Sequence, residues 1–152
     1  MPAYMLLMAL SAEKLAELRV KHLEMVQVLI ARMAGYGASF KSLCITLTTA
    51  VCGFGITLHR PLVILLALFP VLAFATLDAQ CLRVERRFRL LFDVIRREPW
   101  DAMPSFEINV AAAPHVRRRH VIRSWSISCF YLPLVAGVVA IAIIGRYAYG
   151  SL

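Results

Sequence analysis

Apolar and polar positions alternate along this chain in blocks, and the block lengths predict helices. Over residues 11–33, Leu15, Leu18, His22, Met25 or Val26, Leu29 and Met33 recur at helical spacing. Lys14, Glu17, Lys21, Glu24 and Arg32 take much of the other side, and Ser11 suits the N-cap with Glu13 near the positive end of the dipole. This is an amphipathic helix. Gly35 and Gly37 are expected to loosen the backbone beyond it. Residues 42–58 then carry no charge, and after His59-Arg60-Pro61 neither do residues 62–77. A helix rises about 1.5 Å per residue and the hydrocarbon core is ~30 Å thick, so the first run is barely long enough to span it and the second is of similar length. Two runs split by two polar residues and a proline predict a tight transmembrane hairpin, with a re-entrant loop as the alternative. Pro70 is expected to kink the second span.

Asp78 closes that span, and residues 79–97 can continue its helix into water. Glu85 and Arg89, Arg89 and Asp93, and Asp93 and Arg97 stand four apart, and Leu82, Phe88, Leu91, Phe92 and Ile95 form an apolar stripe. Glu98-Pro99-Trp100 stops the helix, and the stretch to about residue 114 reads as irregular, with one short strand at 106–110. The basic run at 115–123 leads to residues 124–144, uncharged over 21 residues and long enough to span. Trp125 and Tyr131 near its start, and Tyr147 and Tyr149 near its end, read as interfacial aromatics.

The pattern predicts an all-α integral membrane protein of four segments: a cytosolic amphipathic helix (1–41), a transmembrane hairpin (42–79), a basic cytosolic helix and loop (80–123), and a third transmembrane helix with a short outer tail (124–152). Composition agrees. The apolar fraction is 61% and mean hydropathy +0.72, too apolar for one soluble core of 152 residues. A disordered chain, a disulfide scaffold and a collagen-like repeat are excluded. The first ten residues are apolar, but no Lys or Arg precedes them as a secretory signal requires; a flexible or membrane-grazing N-terminus is the expectation.

Charge sets the orientation. Of 17 Lys and Arg residues, 15 lie before the hairpin or between spans two and three; Arg60 and Arg146 are the other two. The positive-inside rule places the N-terminus and the long loop in the cytoplasm and the C-terminus outside.

Four groups of residues are candidates for function. Ser42, Thr46, Thr49, Gly53 and Thr57 share one face of span one, as a pore lining in a homo-oligomer or as a helix-packing face. Asp78 is the one carboxylate at a span edge; a proton relay is one use, and an interfacial pair with Lys41 is the plainer one. Arg83, Arg86 and Arg87, with Arg117, Arg118, Arg119 and Arg123, suit the anionic headgroups of the lipid bilayer or a phosphate-bearing ligand such as a signalling nucleotide. Nucleic acid fits less well, because Phe88 and Phe92 are better used as the packing stripe. Catalysis has no motif: His22, His59, His115 and His120 are scattered, and no HExxH, GxSxG, GxGxxG or P-loop occurs. Cys44, Cys52, Cys81 and Cys129 form no CxxC and read as small buried side chains, so no metal or other cofactor is expected.

An amphipathic helix, a short hairpin and a charged helix (LDAQCLRVERRFRLLFDVIRR) together resemble the small bacterial membrane effectors of the SLATT class over about residues 11–98. The third span departs from that two-span layout. The resemblance implies an oligomeric inner-membrane effector that permeabilises the membrane in bacterial defence when a cytosolic partner or small molecule triggers it. A non-conducting anchor that recruits a soluble partner is the alternative.

Overall fold

The structure is a computed structural model and describes residues 12–100, 102–109 and 124–149. It is all-helical, and among the described residues there is no strand. Four helices follow in order: α1 (Ala12–Thr57), α2 (Pro61–Leu65), α3 (Leu68–Arg97) and α4 (Trp125–Tyr149). Three stretches are long and apolar enough to cross a membrane: Ala12–Thr57, Pro61–Arg97 and Trp125–Ala148. In each, only 22% of the most apolar window is buried within the protein, so most of that surface is left for lipid or another chain. Two compact units form, residues 12–33 with 84–109 and residues 34–83 with 124–149.

In the first unit, α1 turns Leu15, Arg19, His22 and Val26 inward at spacings of four, three and four. Val26 meets Phe88, Leu91 and Ile95 of α3, with Leu23, Leu29, Ile30 and Phe92 around them. The expected stripes are thus both used, with one correction and one open choice decided. Leu18 is only half-buried and Arg19 takes the inward position; at 25–26, Met25 is exposed and Val26 is buried. Helix α3 stops at Arg97, before Pro99. The expected strand at 106–110 is absent from its described part, 106–109. Phe106 has φ 53°, a left-handed backbone that breaks strand alternation, and its ring packs 5.3 Å from that of His22.

In the second unit, α1 shows no break at Gly35 or Gly37. Two glycines cost about 1 kcal/mol each relative to alanine, too little to interrupt a helix stabilised on both sides. Gly37 is buried, and a Cβ there would stand 3.0 Å from Asp78 Oδ1; its small size admits the carboxylate. The hairpin closes over Leu58, His59 and Arg60. His59 adopts φ 53°, and the amides of His59 and Arg60 donate to the carbonyls of Ile56 and Gly55 at 3.0 and 3.1 Å. Pro61 opens α2, where a missing N–H costs nothing. Gly55 permits the tight crossing, since a Cβ there would fall 2.6 Å from Ile64 Cγ1. Cys52, Ile64, Ala67, Val138 and Ala142 form the core of the unit.

The second span breaks at residues 66–67. Pro70 has no N–H, and its ring crowds the carbonyl four residues back, that of Leu66. The chain responds with tighter bonds: the amides of Leu66, Ala67 and Phe69 donate three residues back, to Val63, Ile64 and Leu66. Trp125 and Tyr147 are exposed at the two ends of α4 as interfacial aromatics would be, but Tyr131 is buried. Of the cysteines, Cys44 and Cys52 are buried, Cys81 is half-buried and Cys129 is exposed, so the small-core reading fails for Cys129.

Candidate functional site

The inward face of span one consists of Lys41, Cys44, Thr48, Cys52 and Gly55, stepping by three or four residues. It turns toward α2, α3 and α4, and at its Lys41 end stands the most polar cluster of the second unit. Asp78 of α3 is 3% exposed, and its Oδ2 lies 2.9 Å from Lys41 Nζ. Lys41 also donates to Ser126 Oγ at 3.5 Å and stands 6.0 Å from the centre of the Phe130 ring. Tyr131 of α4 is buried, and its hydroxyl has no hydrogen-bond partner among the described residues. Three helices therefore meet at one ion pair, Lys41 of α1 with Asp78 of α3 and Ser126 of α4 beside the ammonium. Lys41 and Asp78, paired by reasoning from their common depth, are brought together. Tyr131 was missed, because its place near a span end suggested the interface. Its spacing of four from Ile127, also buried, is the signal that turns it inward.

The small polar row lies elsewhere on the same helix. Ser42, Thr46, Thr49, Gly53 and Thr57 are all exposed, and nothing lies within 4 Å of where a Gly53 Cβ would be. Among the described residues, none of this chain's other helices covers them. The Thr46 and Thr57 hydroxyls donate to the carbonyls of Ser42 and Gly53 at 3.0 and 2.9 Å, so both are satisfied within their own helix. A continuous polar row is left on the outside of the protein.

The first unit holds a site that charge counting missed. Arg19, 1% exposed, pairs with the Glu98 carboxylate and donates to the carbonyls of Pro99 at 2.7 Å and Ala102 at 3.1 Å. One guanidinium thus fastens the end of α3 and the segment after it onto α1. Only a planar fork of donors can serve three acceptors in this way. The detectable signal was its position, four after Leu15 and three before His22, on the buried stripe.

The basic residues of α3 are mostly engaged. Arg83, Arg86 and Arg87 are half-buried, each with an interaction inside the protein. Arg89 pairs with Glu85 at 2.6 Å as its spacing predicts, whereas Asp93 pairs with Arg96 at 3.5 Å rather than with Arg89 or Arg97. Arg117, Arg118, Arg119 and Arg123 lie outside the described residues, as does Ser11. Among the described residues no three His, Cys, Asp or Glu side chains converge as metal ligands would. No family model, curated protein or solved structure matches the chain.

Proposed function

We propose that this chain is a homo-oligomeric bacterial inner-membrane effector whose assembly permeabilises or depolarises the membrane, as the resemblance to the SLATT class implies. The supporting observation is the outward polar row of span one. Hydroxyl and glycine positions give membrane helices close approach. A ring of copies joined near this row turns it toward a common axis, where small hydroxyls line a path for water and ions. The trigger, a cytosolic protein or a phosphate-bearing ligand, acts through the basic segment at 80–123.

Thr49→Leu is expected to bring dye entry and depolarisation on induction down to background while membrane insertion stays intact, since Leu suits lipid at least as well. Full leakage from the variant would remove Thr49 from the path. Leakage from neither protein, under any condition, would favour the non-conducting anchor, a reading supported by the packed helix pair of the first unit as a docking scaffold.

The orientation proposed with this function is N-terminus in and C-terminus out. A reporter fused after Leu152 is expected to behave as periplasmic and one inserted at Ser105 as cytoplasmic. A cytoplasmic C-terminus would overturn the third crossing.

A further inference from the structure

The hairpin turn and the C-terminal end of α4 carry only two of the 17 basic residues, Arg60 and Arg146. Both line the same open cavity of about 710 Å³ in the second unit. This volume falls in the ~300–1,000 Å³ range of small-molecule sites. His59 completes the polar rim, and Leu62, Leu65 and Ile143 are among the apolar wall residues; no acidic residue lines the cavity. Both arginines are exposed, and no hydrogen bond or ion pair to either side chain occurs among the described residues. Leu62 is 75% and Ile143 50% exposed, so the apolar wall opens toward the hydrocarbon as well.

A cationic rim at the end of a transmembrane hairpin, over an apolar groove, matches one kind of occupant. The geometry points to a binding site for an anionic glycerophospholipid, with the phosphate at Arg60 and Arg146 and one acyl chain along Leu62, Leu65 and Ile143. The argument is charge complementarity joined to amphipathic shape. A guanidinium grips phosphate oxygens bidentately, and two of them without a carboxylate partner among the described residues favour an anion over a zwitterion. A free phosphate would leave the groove empty of apolar contact, and a neutral lipid would leave the two charges uncompensated. The site goes beyond the proposed permeabilisation and does not rest on it, since the row at 42–57 contributes nothing to the cavity.

The test uses the full chain in detergent, with phosphatidylglycerol and phosphatidylcholine as probes and retained lipid measured by native mass spectrometry. An arginine at the headgroup is worth about fivefold in affinity, so the pair gives roughly thirtyfold. Arg60→Gln with Arg146→Gln is expected to lower phosphatidylglycerol retention about thirtyfold and leave phosphatidylcholine retention unchanged. Arg60→Lys with Arg146→Lys keeps most of the preference, which shows that the fold tolerates change there. Leu65→Trp fills the groove, keeps both arginines and is expected to lower retention of phosphatidylglycerol. Undiminished phosphatidylglycerol retention by the glutamine variant would overturn the site and assign binding to the basic segment at 80–123. Displacement of the lipid by excess inorganic phosphate, or undiminished retention by Leu65→Trp, would overturn the lipid as occupant.

Discussion

Lys41→Met is expected to destabilise the membrane-spanning unit by about 3–5 kcal/mol, the usual cost of removing one partner from a buried ion pair. The asymmetry of the pair sets the pattern among variants. Asp78 is almost wholly enclosed, whereas the Lys41 side chain retains 24% of its exposure. Without the ammonium, the carboxylate stays behind between apolar helices with its ion-pair partner gone. Without the carboxylate, the ammonium can extend its flexible stem toward the membrane surface. Asp78→Asn should therefore cost less than Lys41→Met. The double variant should recover most of the Lys41→Met loss, because no buried charge is then left alone. Thermal unfolding in detergent across the four proteins gives the cycle. A Lys41→Met protein as stable as the wild type would mean that another group or water compensates Asp78.

Arg19→Met should cost about 3 kcal/mol in the first unit, the value of one or two charge-assisted hydrogen bonds lost from a buried site. Glu98 is 40% exposed and regains water, but the Pro99 and Ala102 carbonyls lose their only donor among the described contacts. The loss should be local. Amide exchange over residues 98–109 should rise toward that of an unrestrained segment, while α1 beyond residue 41 keeps its protection. Arg19→Lys should restore little, since a compact ammonium on a shorter stem cannot span the acceptors that Nη1 and Nη2 of the guanidinium reach separately. Unchanged exchange over 98–109 in Arg19→Met would show that packing, including the Phe106 ring on His22, holds the segment without the guanidinium.

The helical class and the three apolar helices were legible because hydrocarbon enforces a simple rule. A charge at its centre costs several kcal/mol, so long uncharged runs stand out whatever the details of packing. The break near Pro70 was legible for an equally local reason, the missing amide. What failed was decided by partners distant in sequence. Gly35 and Gly37 suggest a loose joint by propensity, but at Gly37 the third helix delivers a carboxylate that only a small residue admits. In the sequence Arg19 looks like any solvated charge until Glu98, Pro99 and Ala102 close around it, about 80 residues later in the chain. Alternation in 106–109 suggests a strand, yet a strand needs a neighbour to pair with, and Phe106 turns to His22 instead. The polar row of span one was found by periodicity, but periodicity cannot say which of two faces points inward. The buried row Cys44, Thr48 and Cys52 is spaced just as regularly.

The link between α1 and α2 has only three residues, Leu58, His59 and Arg60. In the proposed orientation, N-terminus in the cytoplasm, that link is all the polar chain that must pass the hydrocarbon before the second span is in place. One arginine at the bilayer centre costs ~2.5–3.5 kcal/mol on insertion scales. Residues 62–77 include 11 Leu, Ile, Val and Phe residues, and at ~0.3–0.6 kcal/mol each these offset that cost on their own. The two spans can thus leave the translocation channel sideways as a preformed pair, already closed at Gly55 and Ile64, with no domain to be carried across. In that orientation, biogenesis of the hairpin is expected to depend on the lateral exit of two helices and not on transport of a loop.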